Sequence, residues 1–161
     1  MASDDETQVQ SFDAVWALQA QLNKKAGFDT AQLGKALNDA LVQGQLPKGH
    51  PAALAVGRAL KNYIDAMASE CQELQDCLSW KHWYKEAKEG RQYELQDLQN
   101  ARVEAIDMLF FWVSICQLLG LEPVDVLRLY GKKLEINHRR QDQDRTQAQH
   151  GRHEDENRGV L

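Results

Sequence analysis

Two pairs of carboxylates stand at helical spacing in this chain, Glu70-x-x-Glu73 and Glu104-x-x-Asp107. Residues three apart project from one face of a helix, so the charges within each pair repel modestly. The second pair lies in the most apolar stretch, Asn100 to Val113. Burying an unpaired carboxylate there costs far more than the repulsion does, so a segment that keeps both implies a cation nearby. Helical bundles build metal sites by bringing such carboxylates together from adjacent helices. An all-oxygen set favours Mg²⁺, with Mn²⁺ as the alternative, over zinc, and Mg²⁺ keeps waters and seeks phosphate oxygens. The implied chemistry is attack of water on a phosphate chain. Either pair alone reads most simply as a solvated surface; the conjunction carries the meaning.

Other residues fit a nucleotide around such a site. Phe111 lies one turn beyond Asp107. Gln19 and Asn23 sit one turn apart, and side-chain amides match the donor–acceptor edge of a pyrimidine. The run Trp80-Lys81-His82-Trp83-Tyr84-Lys85 interleaves rings with lysines, suited to stacking on a base and neutralising phosphate. Its plainer reading is a helix end with core tryptophans and solvated lysines. Lys133, Asn137 and Arg140 share a face of the last helical segment. That row suits a phosphate tail, or simply a basic surface at a helix C-terminus. No P-loop, Rossmann fingerprint, Ser/His/Asp or Cys/His constellation is present.

The elements that must position these groups are helical. Proline and glycine are sparse, β-branched runs are absent, and Ala, Leu, Gln, Glu and Lys dominate. The 161 residues suit one domain with a real core. An all-α bundle of about five helices is expected over residues 11–143, after a flexible leader (1–10) and before a flexible polar tail (144–161). Ser11 caps a first helix that ends at Gly27, and a second runs from Asp29 or Thr30 to Gly44. A third covers Ala52 to about Lys88, with a break near Ser79 or Trp80. The central helix follows the turn at Glu89-Gly90-Arg91 and runs to Leu119. Its residues 103, 106, 110 and 113 form the expected core-facing stripe. Gly120 ends it, and Pro123 opens the last helix.

The net charge of −5, with no basic tract, gives nucleic acid binding little support. Cys71, Cys77 and Cys116 form no CxxC pair and read as buried reduced thiols. The acidic N-terminus does not read as a signal peptide, and the run from Met108 to Cys116 is too short to span a bilayer. No membrane partner and a cytoplasmic location are therefore expected.

In this order the motifs resemble those of the dimeric all-α dUTPases, within the all-α NTP pyrophosphatase group that includes the MazG proteins. The likeness rests on Leu18-Gln19-x-x-Leu22-Asn23, Glu70-x-x-Glu73, Trp80-Lys81-His82-Trp83, Asn100-x-Arg102-Val103-Glu104-x-x-Asp107, Phe111, and Tyr130, Lys133, Asn137, Arg140 and Gln141. It implies a homodimer that hydrolyses dUTP, and dUDP, to dUMP in the cytoplasm (the host's, for a phage-encoded chain). Glu70, Glu73, Glu104 and Asp107 would hold Mg²⁺, and one of the catalytic pair Glu70 and Glu73, with Glu70 the first choice, would orient and deprotonate the attacking water. Gln19, Asn23, Trp83, Phe111 and Asn100 would contact base and sugar. Lys81, Lys133, Asn137 and Arg140 would hold phosphate. Phe110 stands where the family has His, Asp144-Arg145 where it has Gly-Tyr, and the 24–69 segment is longer than usual. A dCTP or broader dNTP pyrophosphatase, and a non-catalytic helical interaction protein, are the competing readings.

Overall fold

A computed structural model describes residues 9–142 and 157–160. They form helices α1 (Phe12–Lys25), α2 (Thr30–Asp39), α3 (Pro51–Asp76), α4 (Lys85–Lys88), α5 (Leu98–Leu118) and α6 (Pro123–Asp142), with no strand among them beyond isolated bridges. The chain divides after Gly120 into two compact units, each considered by itself. The expected leader at 1–8, residue 143 of the expected domain, and most of the expected tail, at 144–156 and 161, lie outside the described residues.

In the first unit, local chemistry sets most helix starts. Ser11 Oγ accepts from the Ala14 amide at 3.1 Å, and Asp29 Oδ1 accepts from the Gln32 amide at 3.0 Å. His50 caps α3 through Nδ1, with Pro51 at the first helical position. Asp97 caps α5 by accepting from the Asn100 amide at 2.9 Å. The second helix stops at Asp39, earlier than Gly44. Val42 and Gln45 then pair across a tight turn in which Gln43 and Gly44 both take positive φ, 51° and 75°.

The third helix ends at Asp76, not near Lys88, and the central helix begins only at Leu98. Between them the chain makes an excursion closed at its base by non-local bonds. Ser79 donates its amide to Glu94 O and its hydroxyl to Arg91 O, the Tyr93 amide donates to Ser79 O, and the Gln96 amide to Cys77 O. These bonds replace the helical ones, so Trp80 does not continue the face that carries Glu70 and Glu73. Within the excursion α4 is a single turn.

Helix α5 is the hub: α3 packs along it most extensively, and α1 and α2 also pack against it. The approach of α2 is backbone to backbone. A Cβ placed on Gly34 would lie 1.8 Å from the Gln117 carbonyl oxygen, so only glycine fits there. The core includes Trp16, Val56, Val113, Cys116 and Leu118. The expected stripe on α5 is corrected: Val113 is fully buried, but Val103, Ile106 and Phe110 are 47%, 53% and 43% exposed. The inward face carries Ala101, Glu104, Ser114 and Gln117. Because α5 is apolar on nearly every side, a 3.6-residue period does not single out its inward face. Of the cysteines, Cys77 and Cys116 are buried as expected, whereas Cys71 is exposed.

In the second unit, α6 buries Ile136, and residues 157–160 form a turn held to it, where a free tail was expected. Lys132 Nζ donates to Val160 O at 3.0 Å, and Lys133 Nζ to Asn157 Oδ1. No single helix among the described residues is long and apolar enough to cross a membrane.

Candidate metal centre and ligand cleft

A cleft of about 610 Å³ opens between α1, α3 and α5, within the usual size of small-molecule sites. Glu70 and Asp107 stand at one end, Gln19 and Asn23 at the other, and the aromatic residues Phe28, Tyr63, Phe110 and Phe111 line the walls. All of these residues belong to the first unit.

The acidic end is built by facing turns of α3 and α5. One carboxylate oxygen each from Glu70, Glu104 and Asp107 lies within 4.8 Å of the others. Oxygens around Mg²⁺ at its bond length of ~2.1 Å stand about 3.0 Å apart when cis and about 4.2 Å apart when trans, so the three must draw closer to share one ion. Glu104 is only 8% exposed, and Asn100 Nδ2 donates to its Oε1 at 3.0 Å and to Cys77 Sγ at 3.4 Å. Asn100, expected at the base or sugar, thus orients a carboxylate. The carboxyl of Glu70 is pushed above the ordinary range, first by desolvation, then by the charges of Glu73, Asp107 and Glu104 and a hydrogen bond with Glu104. Every charge shifting it is negative. This crowded oxygen set fits a hard divalent cation.

Glu73 is exposed one turn along α3 and lies outside the three-residue group, with Ser69 Oγ 3.5 Å from its Oε1. It acts on Glu70 through its charge. Trp83 and Lys81 are not among the cleft-lining residues. They ride on the excursion between α3 and α5, where Trp83 is 56% exposed and meets His82 edge-on, and Lys81 Nζ lies over the Trp80 and Tyr84 rings. Lys133, Asn137 and Arg140 belong to α6 in the second unit.

At the other end, Gln19 and Asn23 are buried, yet both line the cleft. Phe111 packs on Tyr63 with ring centroids 6.3 Å apart, and Tyr63 meets Phe28 edge-on at 6.4 Å. Burial raises the Tyr63 phenol above its ordinary value. The sequence reading passed over Tyr63, Phe28 and Asn62. A signal for Tyr63 existed, since it lies two turns before Glu70 on the same face of α3. No protein-family model, curated protein or solved structure matches this chain.

Proposed function

We propose that this chain is a Mg²⁺-dependent nucleoside triphosphate pyrophosphohydrolase acting on dUTP, and on dUDP, to give dUMP. One observation carries the reading: a single cleft is lined at one end by Glu70 and Asp107, two members of a three-carboxylate cluster whose third, Glu104, lies buried beside them, and at the other by a buried amide pair with aromatic walls. A pyrimidine seated among Phe28, Tyr63 and Phe111, with its edge on Gln19 and Asn23, directs its phosphates toward Glu70, Glu104 and Asp107. Glu70, Glu104 and Asp107 would hold Mg²⁺, which would supply neutralisation of the phosphate charge. Glu70 takes the proton from the attacking water. Asn100 fixes Glu104.

By the resemblance, Trp83 would contact the base and Lys81 would hold phosphate. The same resemblance makes the protein a cytoplasmic homodimer. Support for the dimer is an apolar groove beside the cleft, where Leu18, Leu22, Ile106 and Phe110 are 38–53% exposed.

The test is release of pyrophosphate from each of the four common dNTPs and dUTP, with and without Mg²⁺. dUTP turnover that needs Mg²⁺ is expected, and comparable rates on purine substrates would contradict it. The second reading, a dCTP or broader dNTP pyrophosphatase, is favoured by the aromatic walls, which accept any pyrimidine ring.

A further inference from the structure

Behind the amide end of the cleft lies a closed set of buried polar side chains: Thr30, Ser114 and Gln117 are 0%, 0% and 3% exposed. Two main-chain carbonyls anchor it. Gln117 lies 2.9 Å from Trp16 O and Ser114 Oγ lies 2.8 Å from Phe110 O. A carbonyl oxygen only accepts, so Gln117 must turn its Nε2 to Trp16 and Ser114 must donate to Phe110. The rest follows as a chain. Gln117 Oε1 then accepts from Thr30 at 2.7 Å, which leaves the Thr30 oxygen as an acceptor. Asn23 Nδ2 donates to Thr30 Oγ1 at 3.0 Å and to Ser114 Oγ at 2.9 Å, so both of its protons are used. Gln19 Nε2 donates to Asn23 Oδ1 at 2.9 Å and to Ser114 Oγ at 3.2 Å, which uses both of its own.

Every amide N–H of the pair is therefore engaged inside the protein. What remains for a ligand is lone pairs: Gln19 Oε1, which none of the described hydrogen bonds reaches, and the second lone pair of Asn23 Oδ1. No buried side-chain polar atom among the described residues lacks a partner, so Gln19 Oε1 opens to solvent.

We propose that Thr30, Ser114 and Gln117 are positioning residues that lock the polarity of Gln19 and Asn23, so that the cleft accepts only a ring bringing an N–H to this end. An amide free to turn reads either edge of a pyrimidine; this pair does not turn. The imide N3–H of uracil and the exocyclic amino group of cytosine meet the requirement. Pyrimidin-2-one, smaller than either and lacking both donors, does not. The proposal rests on the cleft being the nucleotide site.

Two readouts on the full chain keep the two ideas apart. Binding of 2′-deoxyuridine and of the pyrimidin-2-one 2′-deoxynucleoside is followed by NMR line broadening, and turnover of their 5′-triphosphates is measured with Mg²⁺. We expect the donor-free ring to lose at least ~100-fold in kcat/KM and to bind undetectably, because a site built for an N–H rejects the analogue without it. In Ser114→Ala, Gln19 and Asn23 each regain a free N–H, and the discrimination should fall to within about tenfold. Thr30→Val should relax it in the same direction, and Thr30→Ser, which keeps the hydroxyl, should restore it. A merely structural role would lower all substrates in parallel and leave the ratio unmoved. Equal use of both rings by the wild type, an unmoved ratio in Ser114→Ala and Thr30→Val, or no binding of either nucleoside overturns the proposal. Selective nucleoside binding without turnover supports it and overturns the hydrolase reading instead.

Discussion

The two ends of the cleft are held in opposite conditions. At the amide end every buried side-chain donor and acceptor is satisfied within the protein before any ligand arrives. At the acidic end three carboxylates crowd together and each charge acting on Glu70 works against its ionisation. One end is complete without a ligand; the other reaches its lowest energy only with added positive charge. A satisfied network selects by shape and polarity, whereas a frustrated cluster stores affinity for a cation. Under the proposed function, recognition falls to α1 and the end of α5, and chemistry to α3 and the middle of α5.

The comparison is broken most severely at the acidic end. Glu104→Gln removes a ligand while keeping Asn100 within reach. Since outer-shell changes around metals typically cost 10–100-fold, loss of a ligand should lower Mg²⁺-dependent turnover by at least ~100-fold. The metal-free melting temperature should rise with relief of like-charge repulsion, and a fall would count against a clustered acidic site. Parallel assays of turnover and thermal unfolding check both.

Next comes the amide end, through its backbone. Gly34→Ala drives a methyl group into the Gln117 carbonyl and should cost about 3 kcal/mol, at the upper end of overpacking effects. Urea unfolding measures it, and a cost under ~1 kcal/mol would show that α2 shifts away freely. Thr30→Val is smaller. It leaves Asn23 and Gln117 short of a partner and should destabilise by about 1–3 kcal/mol in the same measurement, with Thr30→Ser well below that.

The smallest effect sharpens the contrast by pH. The carboxyl of Glu70 is raised in the folded chain, so its contribution to stability is full below the unfolded value. It is lost as pH rises through the folded one. Without metal, the wild type should therefore lose stability relative to Glu70→Gln as pH rises from the ordinary carboxylate range upward. Melting curves across that range should diverge with rising pH; parallel curves would remove the electrostatic account of Glu70. Thr30→Val should leave the divergence intact, because that network carries no charge.

Much of this arrangement was legible because it is local. Ser11, Asp29, Gly120 and Pro123 mark helix boundaries by their own chemistry, and Glu70, Glu104 and Asp107 announce themselves by i, i+3 spacing. The excursion between α3 and α5 was legible only as a break near Ser79 or Trp80 and a turn at Glu89-Gly90-Arg91. It is closed by Ser79 bonding to Arg91, Tyr93 and Glu94, and no proline or glycine near Asp76 warns of it. The inward face of α5 was misjudged because Val103, Ile106 and Phe110 mimic a core stripe, while the buried positions include Glu104, Ser114 and Gln117. Thr30, Ser114 and Gln117 were missed for a related reason. Their contacts join α1 and α2 to α5 across most of the first unit's sequence, and such pairings leave no periodic trace.

The central claim is that Glu70, Glu104 and Asp107 hold one divalent cation together. Mn²⁺ binding to the full chain, read by the loss of its free-ion EPR signal and its displacement by Mg²⁺, tests this without any substrate. Binding by the wild type that is abolished in Asp107→Asn, with the fold retained by circular dichroism, is the predicted result. Equal Mn²⁺ binding in the two proteins would contradict it.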